Sequence, residues 1–152
     1  MAEFINTSTA IGDDALVDSI ITRTITEYKE NRVTKLRRSA FAYCAELAVV
    51  DMPSITEIGL EAFENCSALV ALILRGDTMC TLGNVRSLGT TPIASGTGYI
   101  YVPRALLSDT DATKDYRRAT NWSTYSAQFR ALEDYTVDGT VDGELDETKI
   151  AA

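Results

Sequence analysis

The feature that most limits what this chain can fold into is an internal repeat. Residues 33–54 read VTKLRRSAFAYCAELAVVDMPS and residues 55–76 read ITEIGLEAFENCSALVALILRG. Superimposed, they share Thr34/Thr56, Ala40/Ala62, Phe41/Phe63, Cys44/Cys66 and Leu47/Leu69. Val33/Ile55, Leu36/Ile58, Val49/Ala71, Val50/Leu72 and Met52/Leu74 keep their apolar character, whereas Lys35/Glu57, Ser39/Glu61 and Ala42/Glu64 drift. Fixed apolar positions among drifting polar ones are what a stacked unit requires, because each copy hides its apolar set only against its neighbours. The structural core is therefore expected at Phe41, Cys44, Leu47, Ile58, Phe63, Cys66, Leu69 and Leu72.

Inside one unit the periodicity changes. SAFAYCAEL and EAFENCSAL space Phe, Cys and Leu three apart, the mark of a short helix or 3₁₀ turn, while VVDM and ALIL read as short strands. Worn copies flank the clear ones. IITRTITEY at 20–28 looks like the strand half of a preceding unit. Residues 79–103 look like a stretched following unit, with Met79 and Leu82 in the places of Ile55 and Ile58, Leu88 in that of Phe63 and Ile93 in that of Leu69. Terminal copies are expected to be atypical, since they face solvent or a cap.

The pattern I-T-x-I-G-x-x-A-F-x-x-C-x-x-L, carried in full by Thr56, Ile58, Gly59, Ala62, Phe63, Cys66 and Leu69, resembles the BspA-like class of leucine-rich repeats. The first unit departs from it in having Arg37 where the glycine stands. That class occurs in bacterial surface proteins and in bacteriophage structural proteins. The resemblance implies an α/β repeat solenoid: a short leucine-rich-repeat stack over residues 20–103, a helical cap over 104–134, and extended arms at 1–19 and 135–152. The segment from YIYVP to LEDY also resembles the C-terminal closure of phage members of the class, with additional residues at Ser108–Thr113.

The cap is predicted to be helical. Pro103 suits the first position of one helix, and Asn121 offers an N-cap for a second, in which Trp122, Tyr125, Phe129 and Leu132 recur at helical spacing. That aromatic stripe reads as a lid over the last repeat in preference to a ligand groove. The C-terminal arm is acidic and repeats VDG, so Val137, Asp138, Val141 and Asp142 are the candidate assembly contacts. Valine favours extended chain and Asp-Gly favours turns.

Composition removes several classes of function. The chain contains no histidine, which excludes Ser-His-Asp triads, Cys-His dyads and HExxH metal sites. Its net charge of −8 opposes a sequence-independent grip on nucleic acid or anionic lipid. No stretch is long and apolar enough to span a bilayer, and the opening MAEFINTSTAIGDD has neither the basic nor the apolar region of a secretory signal. Cys44, Cys66 and Cys80 lack zinc-type pairing, and the first two recur at one place in successive units, where cysteine serves as a small hydrophobe. The acids at 138, 142 and 146 fall four apart, unlike the alternating ligands of an EF-hand, and Ser95-Gly96-Thr97-Gly98 opens no helix after a strand. Arg32, Arg37 and Arg38 could form a patch for an acidic partner or a solvated face.

No catalytic residue, metal or cofactor is assigned. The expected function is that of a non-enzymatic virion component of a bacteriophage, in the tail, baseplate, neck or head-accessory region. Its expected partners are other virion proteins, further copies of itself and a host-surface ligand, without nucleic acid or membrane insertion. Expected localisation is the virion, after synthesis in the bacterial cytoplasm. The alternative is a bacterial cell-surface adhesin or binding module, which should carry an export signal, more repeats or a wall anchor.

Overall fold

Each 22-residue unit has apolar side chains in two separate places, and the chain is extended at both. The computed structural model describes residues 10–11, 27–29 and 33–134. The strands are β1 Ala10–Ile11, β2 Glu27–Lys29, β3 Lys35–Leu36, β4 Val49–Asp51, β5 Glu57–Ile58, β6 Ala71–Ile73, β7 Thr81–Leu82, β8 Tyr99–Val102 and β9 Phe129–Ala131. They alternate between two sheets, ordered β1-β3-β5-β7 and β2-β4-β6-β8-β9, and every pairing is parallel. Parallel neighbours need a crossover; as far as β8 each crossover passes through the other sheet, and between β8 and β9 it runs through 3₁₀ turns instead.

The register follows the repeat. Leu36 lies opposite Ile58, and Val50 opposite Leu72, so equivalent residues of the two clear units sit side by side. Beyond them the spacing widens: Ile58 faces Leu82 and Leu72 faces Ile100. This longer unit contains a 3₁₀ turn, Val85–Ser87, and the short helix α1, Pro92–Ser95.

Between the sheets the turns stack as well. The amides of Ser39, Phe41 and Tyr43 donate to the carbonyls of Leu60, Ala62 and Glu64. Backbone shape repeats with the sequence: Ser39 and Glu61 both have positive φ, as do Tyr43 and Asn65. Phe41 and Phe63 stack with ring centroids 5.7 Å apart and planes 8° from parallel. The Phe63 amide then donates to the Ser87 carbonyl, which puts Leu88 in the place that Phe63 holds one unit earlier. Gly59 lies against the preceding unit: a Cβ there would fall 2.9 Å from the Leu36 carbonyl oxygen and the Arg37 carbonyl carbon. All eight expected core residues are buried in one cluster.

Two expectations are corrected. Residues 10–11 pair with β3, so strand order begins inside the segment read as the N-terminal arm. The cap is not built of α-helices. It consists of 3₁₀ turns at Arg104–Leu106, Ala112–Lys114, Tyr116–Arg118 and Trp122–Gln128, followed by strand β9. Tyr125 leaves helical geometry at φ −108°, ψ 23°, and Phe129–Ala131 are drawn into extended pairing with β8. Asn121 makes no capping bond, because its side chain is held by the last unit instead. Trp122, Tyr125 and Phe129 still enter the main core, but Leu132 falls in a second cluster on the far side of the five-stranded sheet.

Candidate functional site

The last unit ends in an arrangement of side chains that stands in for a further unit. In the smaller sheet, the carbonyls of Thr34 and Leu36 accept from the amides of Thr56 and Gly59. The carbonyls of Thr56 and Ile58 accept in turn from Thr81 and Gly83. The next two acceptors in this series are Cys80 and Leu82. Trp122 Nε1 donates to the Cys80 carbonyl at 2.7 Å, and Asn121 Nδ2 to the Leu82 carbonyl at 2.6 Å. The Cys80 amide is taken by the Tyr116 hydroxyl oxygen at 2.6 Å. The Tyr125 hydroxyl donates to the Val85 carbonyl, and Gln128 Nε2 to the Gly98 carbonyl at 2.8 Å. An open strand edge is a template for further pairing. Here its polar groups are satisfied by side chains, which cannot propagate the ladder.

The aromatic members brace one another. Trp122 meets Tyr116 and Phe129 edge-on, with centroids 5.4 and 5.9 Å away, and Tyr116 stacks on Phe129 at 5.4 Å. Burial pushes the Tyr116 phenol well above its ordinary range, so it stays a neutral hydroxyl.

The loop leading to this closure is held by a carboxylate. Asp115, 2% exposed, caps the turn at Tyr116–Arg118 and accepts from Arg117 Nε at 2.8 Å and Arg118 Nε at 2.9 Å. The same guanidinium groups reach back to the carbonyls of Leu107 and Ser108. Burial works against the charge on Asp115, but the bonds from Arg117 and Arg118 outweigh it and hold its carboxyl below the ordinary 3.8.

On the five-stranded sheet the outer side chains form a second apolar cluster of Ala71, Ile73, Tyr101 and Leu132, with Val49 and Tyr99 packed against it. At one border Arg75 grips Asp51 with two parallel bonds, Nε to Oδ1 at 2.9 Å and Nη2 to Oδ2 at 3.0 Å. Both side chains are nearly buried, at 5% and 9% exposure. At another, the Arg130 guanidinium lies 4.4 Å from the centre of the Tyr99 ring.

Reactive groups are held inert. Cys44, Cys66 and Cys80 are buried free thiols. Cys66 donates to the Phe41 carbonyl at 3.1 Å, and burial drives its thiol far up. Burial also pushes the Cys80 thiol up to about 12. A thiol that stays protonated is a poor nucleophile and a poor metal ligand. Among the described residues no three of Cys, Asp or Glu gather as a metal site, and no helix is long and apolar enough to cross a membrane. An open hollow of about 380 Å³ is lined by Ser67, Thr90, Thr91 and Ser95 with Gly89, Pro92 and Ala94, all uncharged.

Of the residues singled out by sequence, the core set and Trp122, Tyr125 and Phe129 are brought together. Val137, Asp138, Val141 and Asp142 lie outside the described residues, as does Arg32. Sequence reasoning missed Tyr116, Asp115, Arg117, Arg118, Gln128 and the Asp51–Arg75 pair. The last left a trace: Asp51 breaks an apolar strand at the position occupied by Ile73 in the next unit. Comparison with protein-family models, with curated proteins and with solved structures finds no match to this chain.

Proposed function

We propose that this chain is a non-enzymatic structural protein of the leucine-rich-repeat type, a bacteriophage virion component that acts through protein–protein assembly. The observation that carries the reading is the closure of the last unit. Trp122 and Asn121 take the two carbonyls that another unit would have used, so the stack has a finished end and cannot lengthen there. A short repeat stack with one sealed end suits a fixed part of an assembly. Its charged side chains with buried partners, Asp51 with Arg75 and Asp115 with Arg117 and Arg118, are engaged in holding shape. Assembly is then left to the two ends of the chain. The C-terminal segment combines β-forming Val137 and Val141 with acid, a composition suited to adding a strand to a partner's sheet edge.

The test is mass spectrometry of purified particles from a lysate in which the gene is expressed, comparing the full chain with one ending at Asp134. The reading expects the full chain in the particle fraction at fixed stoichiometry and the shortened chain depleted from it. Absence of the full chain from particles contradicts the virion reading. Equal incorporation of both leaves the particle role standing and removes the C-terminal segment from it.

A further inference from the structure

Along the stacked turns, one column of side chains lies in the core and a neighbouring one reaches the surface. Phe41, Phe63 and Leu88 form the first. Two residues further on in each unit come Tyr43, Asn65 and Thr90. The Tyr43 amide donates to the Glu64 carbonyl at 2.7 Å, and the Asn65 amide to the Thr90 hydroxyl oxygen at 2.5 Å, so the three follow one another from unit to unit.

Tyr43 stands in a conformation that tyrosine rarely adopts. Its φ is 66°, in the left-handed region, as is that of Asn65 at 58°. Asparagine tolerates that region, whereas an aromatic residue is strained there. Tyr43 is also 50% exposed, so burial does not offset the strain. A strained aromatic residue presented to solvent, where the next unit has an unstrained one, points to use of the ring itself.

Beside this column the third unit widens. A hollow of about 380 Å³ opens between Ser67 of the second unit and residues 89–95 of the third. Its volume is that of a small-molecule pocket, for which about 300–1,000 Å³ is usual, but its lining carries neither a charge nor a large apolar side chain. Hydroxyls take their place. Thr91 donates its hydrogen to the Leu88 carbonyl at 2.7 Å and Ser95 to the Pro92 carbonyl at 3.1 Å, which leaves their lone pairs to accept. The Thr90 oxygen already accepts from Asn65, which leaves its O–H to donate. The Asn65 side-chain amide, two donors and an acceptor, has no partner among the described residues.

We infer that Tyr43 and this hollow form a binding site for a neutral glycan. A pyranose has an apolar C–H face, which an aromatic ring can cover, and a rim of hydroxyls that are each donor and acceptor. Free donors and acceptors on an uncharged lining match that rim. Two unit spacings of about 4.8 Å place Thr90 about 10 Å from Tyr43, so linked sugars reach both where a single ring does not. Anionic glycans gain nothing here, since the lining is uncharged and the chain carries −8. The inference does not rest on the virion reading, because glycan retention is measured on the purified chain without particles.

The test applies the labelled full-length chain to an array of neutral hexose and N-acetylhexosamine oligosaccharides, with sialylated ones as the anionic control, and titrates those retained. Retention of neutral glycans over sialylated ones is expected, and an array on which no neutral glycan is retained overturns the inference. Tyr43→Phe should bind like the parent. Tyr43→Asn, which installs the residue of the next unit, should weaken binding by about tenfold or more, as loss of a contact aromatic does, while melting at or above the parent's temperature. Asn65→Gly should also weaken binding, with an unchanged circular dichroism spectrum. Parent-level binding by either variant places the glycan elsewhere, and a Tyr43→Asn chain that melts below the parent shows a ring that serves the fold; each result defeats the inference.

Discussion

The repeated units and the closure solve one problem by different means. Between residues 33 and 76, backbone groups are satisfied by the same groups one unit away: Ser39 to Leu60, Phe41 to Ala62, Gly59 to Leu36. In the closure, the last unit's groups are satisfied by side chains from Tyr116, Asn121, Trp122, Tyr125 and Gln128. The first solution needs only shape and tolerates drift at every outward position. The second needs five particular side chains, each with the right donor or acceptor. Repetition is thus robust and unfinished, and termination is specific. Any single polar loss should matter more in the closure than in the repeats, and any loss of packing volume should matter most in the repeats.

The largest expected effect is therefore on packing. Phe63→Ala, at the centre of the ring stack, should cost about 3–5 kcal/mol in chemical denaturation. A variant as stable as the parent would break the stacking account. Gly59→Ala adds one methyl against backbone that cannot step aside and should cost about 1–3 kcal/mol. Gly76→Ala, whose Cβ would meet its nearest atom at 3.4 Å, serves as the tolerated control. Equal costs at the two glycines would show that unit-to-unit contact is not what limits position 59.

Trp122→Phe tests the other half of the comparison. It keeps most of the apolar volume and removes only Nε1, leaving the Cys80 carbonyl buried without its donor. The expected loss is about 1–3 kcal/mol. A loss near zero would mean that the ring fills space and the bond is incidental.

The smallest effect is on acid stability. The Asp115 carboxyl is held below its ordinary 3.8 in the folded chain. A depressed carboxyl contributes stability above its unfolded value, and that contribution drains away as pH falls through the folded one. Thermal melts from pH 6 to pH 2 should show a downturn beginning near pH 4, and Asp115→Asn should flatten it at the expense of stability at neutral pH. An unchanged acid limb would assign the downturn to other carboxylates.

These differences also explain what could be read from the sequence. Phe41/Phe63, Cys44/Cys66 and Leu36/Ile58 were legible because a stacked position imposes the same volume twice, and a period of 22 makes the two impositions visible. Leu82 and Leu88 could be placed by extending the same logic through a longer unit. The closure could be located but not drawn. Trp122, Tyr125 and Phe129 recur at a spacing that a helix would produce, yet a kinked 3₁₀ turn running into a strand buries the same three rings. What separates the alternatives is β8, which captures Phe129–Ala131, and the carbonyl of Leu82, which captures Asn121 away from a capping role. Both are long-range partners with no periodic signal. Arg117 and Arg118 escaped notice for the same reason: only the fold brings Leu107 and Ser108 to them.

The measurement that bears most directly on this account is the behaviour of the chain ended at Pro103, which keeps the clear units and removes every side chain of the closure. With the Cys80 and Leu82 carbonyls and the apolar end of the last unit uncovered, sedimentation at increasing concentration should show self-association or precipitation, where the full chain shows one concentration-independent species. A 1–103 chain that stays folded and monomeric would contradict the claim that residues 104–134 terminate the stack.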